Sequence, residues 1–171
     1  MDCMGKRGII SIMEAVADKI IEELKYLAET EQADSGILDI VPVQAVFFGD
    51  PGIIQQSLYP CITVQPESDV PIGETTGYDK RSLRIEVSLL IDAREYFDVN
   101  VDEAIGDRAL VQATYNIARW FRRPAKRTLD QLPGVVEVAV EDTIYRTQDR
   151  NIPIKLSRTV LVVQKNYAKC N

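Results

Sequence analysis

From Ser82 to Asp92 the chain alternates with a period of two. Leu83, Ile85, Val87, Leu89 and Ile91 fall on one side, and Ser82, Arg84, Glu86, Ser88 and Asp92 on the other, with Leu90 the exception. Successive side chains of a β-strand point to opposite faces, so this pattern calls for a sheet with one covered face and one polar face. Such a strand needs hydrogen-bonding neighbours on its flanks and an apolar layer above it. The rest of the chain has to supply both.

Two segments have the periodicity of a covering layer. Ile12, Val16, Ile20, Leu24 and Leu27 recur near the helical period, with Asp18, Glu22, Glu23 and Lys25 largely off that stripe. This predicts an amphipathic helix from about Ile12 to Glu31, opened by a Ser11/Glu14 capping box and stopped by the small, polar run Gln32–Gly36. A second helix is expected from about Asp102 to Arg122. Ile105, Ala109, Leu110, Ala113, Ile117 and Trp120 or Phe121 form its stripe, and Pro124 prevents continuation. Asp102 and Glu103 at its start, and Arg119, Arg122 and Arg123 at its end, suit the helix dipole.

The neighbouring strands are shorter signals. Ile37–Phe48 is rich in β-formers, but Pro42 confines it to an edge, a bulge or a strand start, because proline removes a ladder donor. Gly49-Asp50-Pro51-Gly52 is a turn, and Pro60–Gln65 is a second strand. Pro66–Lys80 reads as a long polar loop holding Pro71, Gly73 and Gly77. Bounded by two strands, it predicts a hairpin whose tip projects as an arm at about residues 67–81. Val135–Tyr145 and Ile154–Val163 are two further strands, joined by a polar hairpin connection. The order is α-β-β-β-α-β-β. The expected fold is α/β in the α+β sense, a single domain over residues 1–171 with a mostly antiparallel sheet and two helices on one face.

At 171 residues, 46% hydrophobic and 27% charged, the chain has ordinary globular composition and can bury a core. Its net charge of −6 opposes phosphate backbones at long range, which argues against a sequence-specific nucleic-acid binder. Cys3, Cys61 and Cys170 are far apart and odd in number, without the paired spacing of a zinc or redox site, so free thiols in a reducing compartment are expected. No signal peptide or membrane-spanning stretch is read, and the expected site of synthesis is the cytoplasm.

The chain has no histidine. That removes the commonest general base and metal ligand, leaving carboxylate, lysine, tyrosine or cysteine chemistry. Gly5-Lys6 is not part of a phosphate-binding loop, since no strand precedes it and the remaining motif is missing. The acidic pairs Glu22-Glu23, Asp102-Glu103 and Glu141-Asp142 are explained by helix solvation, capping and a strand end. Cys61, in a β-branched strand, reads as a small buried hydrophobe. No catalytic, cofactor-binding or metal-binding residue is assigned.

What remains are surfaces. Arg119, Arg122, Arg123, Lys126 and Arg127 form the one concentrated positive patch. It reads first as dipole compensation at a solvated helix end, and more sharply as a contact for an acidic protein partner. Glu67, Asp69, Glu74, Tyr78, Asp79, Lys80 and Arg81 are the corresponding candidates on the arm. Phe47-Phe48 reads as core in preference to an intersubunit plug.

The pattern as a whole resembles the tail terminator (tail completion, or head–tail joining) proteins of long-tailed bacteriophages. The resemblance covers nearly the whole chain and is one of elements. It takes in the N-terminal amphipathic helix, the strand Tyr59–Glu67 and its following loop, and the strand Leu83–Ile91. The helix ending Ala118-Arg119-Trp120-Phe121, the segment Leu132-Pro133-Gly134-Val135-Val136 and a final hairpin complete it. Other small phage neck and tail proteins share this architecture.

The resemblance implies a hexameric ring that caps the finished tail tube, ends polymerisation and docks onto the neck of the filled head. Implied partners are further copies of the chain, the tube protein, a neck connector or stopper, and in contractile tails the sheath. DNA is only passing cargo, no membrane or cofactor is involved, and the implied location is the tail–neck junction of the virion. The alternatives are another neck or tail component, such as a stopper or tube-associated subunit, and a small enzyme using carboxylates or Cys61.

Overall fold

In a computed structural model, which describes residues 6–29, 43–92, 105–147 and 154–168, the alternating segment lies at the centre of a five-stranded sheet. The elements in chain order are α1 (Lys6–Glu29), β1 (Ala45–Phe48), β2 (Cys61–Glu74), β3 (Tyr78–Asp92), α2 (Ile105–Phe121), β4 (Val135–Thr147) and β5 (Ile154–Ala168). Short 3₁₀ turns occupy Gln56–Leu58 and Pro124–Thr128. The sheet order is β1-β2-β3-β5-β4. All pairings are antiparallel except β1 with β2.

The register puts the apolar set of β3 opposite its partners' apolar sets. Leu89 faces Ile62 and Val87 faces Val64 on β2, while Ile85 faces Leu161 and Leu83 faces Val163 on β5. Val138 of β4 lies opposite Val163. These residues are buried in one core with Val16, Ile20 and Leu24 of α1 and Leu110, Ile117 and Phe121 of α2. Both helices therefore cover one face, α1 against β1 and β2, and α2 against β5, β4 and β3. Thr114 Oγ1 of α2 donates to the Leu110 carbonyl at 2.6 Å and lies 2.5 Å from Ser157 Oγ of β5. The serine is thus the donor to Thr114, and a buried hydroxyl on each element is satisfied.

Several expectations change. The first helix begins at Lys6, so Ser11 sits inside it and does not cap it. A Ser followed three residues on by Glu marks a start only where the chain before it leaves the helical region. The second helix begins at Ile105, and Asp102 and Glu103 lie outside the described residues, as do Cys3, Cys170 and Ile37–Pro42. Of the run ending at Phe48 only Ala45–Phe48 is described as strand, and it pairs parallel to β2 at the sheet's edge. A parallel pair needs a crossover, which the loop and 3₁₀ turn between Phe48 and Cys61 supply.

The largest change concerns Pro66–Lys80. It is ladder, not loop: β2 runs to Glu74, a tight turn closes at Thr75–Tyr78, and β3 returns at once. Two register irregularities, at Pro66/Ser68 and Pro71/Gly73, accommodate the prolines. β5 follows β3 along this extension as far as Ala168. Every residue from Val70 to Tyr78 is exposed, so here neither sheet face is covered.

Between α2 and β4 the chain passes through three successive left-handed residues, Leu129 (φ 47°), Asp130 (φ 53°) and Gln131 (φ 67°). Leu129 is fully buried, which anchors the turn. Gly134 (φ 80°) then accepts a bond from the Asn166 amide at 2.8 Å. A β-carbon at Gly134 would stand 2.6 Å from the Asn166 carbonyl oxygen, so glycine is required by approach as well as by φ.

Candidate functional site

The structure separates the basic patch into used and unused cations. Lys126 is mostly buried and bonds Glu23 at 2.8 Å and Asp130 at 2.7 Å. Trp120 Nε1 donates to the same Glu23 carboxylate at 3.2 Å, and Lys19 lies 3.8 Å from it. Arg123 stacks over the Trp120 ring, 4.5 Å from its centroid. Glu23 is therefore no solvated helix-face residue: its side chain is only 6% exposed, at the hub of a cluster that ties α1 to the end of α2. Burial lowers the Lys126 pKa, but the bonds to Asp130 and Glu23 outweigh it and hold the ammonium above its usual value. Hydrogen bonding by Glu23 and then Lys126 holds Asp130 below the ordinary carboxylate value.

Arg119, Arg122 and Arg127 remain exposed and make no ion pair with a described residue. Arg119 and Arg122 share the outer face of α2 with Val111 and Tyr115, which are 43% and 49% exposed. The spacing 111, 115, 119, 122 keeps all four within one helical stripe.

On the arm, most charged candidates are engaged within their own sheet. Arg81 Nε donates to Asp69 Oδ1 at 2.6 Å, and Arg84 Nε to Glu67 Oε2 at 2.8 Å. Glu74 and Asp79 are not free either. Lys80 and Tyr78 stay exposed. Beside Asp69 and Arg81, burial and then the Asp69 charge push the Tyr167 phenol up to about 12.

The apolar residues of the arm give it its character. Val70, Ile72, Tyr78 and, on β4, Val136 are each about half exposed. A small cavity of about 60 Å³ lies among Ile72, Lys80, Val136, Gln164, Lys165 and Asn166. A wider groove of about 210 Å³ runs between the end of α1 and β1, lined by Lys25, Ala28 and Val43–Val46. Neither brings together carboxylates or a thiol. Phe48 is half exposed on the β1 edge and does not join the core, against the expectation.

The face opposite the helices carries a set of charges whose pairing sequence reasoning missed. Arg84 is held between Glu67 of β2 and Glu141 of β4, and Arg158 of β5 lies 2.9 Å from Glu86 of β3, which also accepts from Ser88 Oγ at 2.7 Å. The polar half of the β3 alternation signalled this face, but only the strand order reveals which acids meet which arginines. Cys61 is fully buried, and desolvation raises its thiol to about 11, away from nucleophilic use. Among the described residues no group of three His, Cys, Asp or Glu could hold a metal ion. No described helix is long and apolar enough to cross a membrane.

The class defined by these features is a two-layer α+β domain, two helices on a mostly antiparallel sheet, with one end of the sheet extended as the β2–β3 hairpin flanked by β5. No protein-family model matches the chain, and no curated protein matches it. Among solved structures, it is similar to a chain in the virion of a native gene transfer agent particle, at 12% identity and a TM-score of 0.47. That likeness covers 83% of this chain and 91% of the other. It is too distant to carry function.

Proposed function

We propose that this chain is a structural subunit of a long-tailed phage virion, and specifically a tail terminator. Copies form a ring that caps the tail tube, ends its polymerisation and presents a face to the neck of the filled head. The observation that carries the reading is the bare hairpin end, β2 and β3 around Val70–Tyr78, with its exposed Val70, Ile72 and Tyr78. It stands on a scaffold of two helices over a mostly antiparallel sheet, the order of elements on which the sequence resemblance rests.

An end of sheet uncovered on both faces, with apolar residues half exposed, suits contact with another protein surface. The opposite, charge-paired face suits a surface that nucleic acid passes: Arg84 and Arg158 are each engaged by carboxylates, so phosphates meet few free cations there. Ring formation needs two different complementary patches per subunit.

The test is reconstitution with the tube protein of the same phage, read by electron microscopy and by mass. The expected result is one ring at a tube end and tubes that stop growing. A triple variant, Val70→Ser, Ile72→Ser and Tyr78→Ser, keeps the ladder while removing the exposed apolar surface, and should fold but fail to cap. Binding to the portal-side connector in place of the tube end would reassign the chain to a stopper. A chain that stays monomeric and never engages tubes would end the reading.

A further inference from the structure

α1 and α2 lie over opposite flanks of the sheet, α1 above β1 and β2, and α2 toward β5 and β4. Their outward stripes carry opposite charge. On α1, Glu14, Asp18 and Glu22 are exposed at i, i+4 and i+8. Among the described residues Glu22 has only its partly buried neighbour Lys19, at 3.1 Å, and Glu14 and Asp18 pair with none. On α2, Tyr115, Arg119 and Arg122 occupy the equivalent stripe, and neither arginine is neutralised within the described chain. The acidic row spans about 12 Å at the helical rise, which matches the reach from Tyr115 to Arg122, about 10 Å.

We infer that the occupant of the α2 stripe is the α1 stripe of a second copy of this chain, docked antiparallel. This inference rests on the ring reading for its head-to-tail sense and names the subunit contact within it. Antiparallel docking sets Glu14 near Arg122 and Asp18 near Arg119, and leaves Glu22 beside the Tyr115 ring. It also carries Lys25, the exposed cation at the far end of the α1 stripe, away from both arginines. Helix dipoles are favourably opposed in the same arrangement.

The two stripes are different surfaces of opposite charge, so the meeting of one copy's α2 with the next copy's α1 joins unlike patches. That is the heterologous contact from which closed rings are made. Val111 and Tyr115 supply apolar area at one end of the contact, and the charge pairs along the rest supply register and steering.

The experiment uses the full chain at low ionic strength, with mass read by sedimentation and native mass spectrometry, and folding checked by circular dichroism. The wild-type chain is expected to assemble, and to dissociate as salt screens the contact. One variant reverses the acids (Glu14→Lys, Asp18→Lys, Glu22→Lys), and a second reverses the bases (Arg119→Glu, Arg122→Glu). Each should be folded and monomeric alone, and mixing the two should restore assemblies larger than dimers.

If the reversed variants assemble as the wild type does, the helix contact is overturned while the ring reading stands. If the mixture stops at a closed dimer, the head-to-tail sense is overturned. A wild-type chain that is monomeric both alone and with tubes removes the ring reading, and this contact with it.

Discussion

Glu23→Ala should be the most damaging truncation of a charged residue on α1. Glu23 accepts the Trp120 indole and an ammonium bond from Lys126, with Lys19 close by. Removing one partner of a buried pair typically costs about 3–5 kcal/mol. Here Lys126 keeps Asp130 at 2.7 Å, which softens the loss of charge pairing. The buried indole N–H loses its acceptor, at about 1–3 kcal/mol. About 3 kcal/mol is the balance of these, and for a chain of this size it lowers Tm by about 6–12 °C.

The assay is thermal unfolding followed by circular dichroism and by Trp120 fluorescence, with Glu22→Ala as the control. Glu22 is 68% exposed and should change stability by no more than about 0.5 kcal/mol. Glu23→Gln keeps an acceptor for the indole but not the charge, and should fall between the two. A Glu23/Lys126 double-mutant cycle should show coupling well above that of a surface pair. Equal effects at positions 22 and 23 would refute the buried-hub reasoning.

Other outcomes follow from single sites. Gly134→Ala puts a β-carbon against the Asn166 carbonyl at a positive φ, and should cost more than about 1 kcal/mol in denaturant unfolding, against near-neutrality at the open Gly77. Tyr167 has a folded pKa raised from 10.0 to about 12, so its contribution is complete below pH 10 and is lost as pH rises towards 12. Tyr167→Phe should flatten that part of the alkaline stability curve, and remove a late-titrating phenol from the absorbance titration of the wild type. Cys61, fully buried, should resist a thiol reagent at pH 8 in the native chain and react on unfolding.

The sheet's centre was legible because burial on one face writes a period of two into β3, and the helices because each has one buried stripe. The hairpin arm is legible, but the length of its ladder is not, for the same reason reversed. From Val70 to Tyr78 both faces are exposed, so no apolar alternation survives to mark a strand, and Pro71 and Gly73 add turn-like composition. β1 showed its residue types but not its parallel pairing, which depends on a long-range register. Glu23 looked solvated because its neighbours in sequence are. Its burial comes from Trp120 and Lys126, about a hundred residues away, and no local pattern records that. The arginines of the basic patch were found by composition, but which of them were spoken for could be learned only from the fold.

The left-handed stretch Leu129–Gln131 divides its strain unequally. Leu129 is seated in the core and Asp130 grips Lys126, so each is held by what its side chain touches. Gln131 (φ 67°) has an exposed side chain with no bond to a described residue, and nothing but its neighbours keeps it there. The backbone tension at that point serves no contact. It marks slack in the fold, a place where a residue without a β-carbon would relax the link at the loss of one exposed side chain.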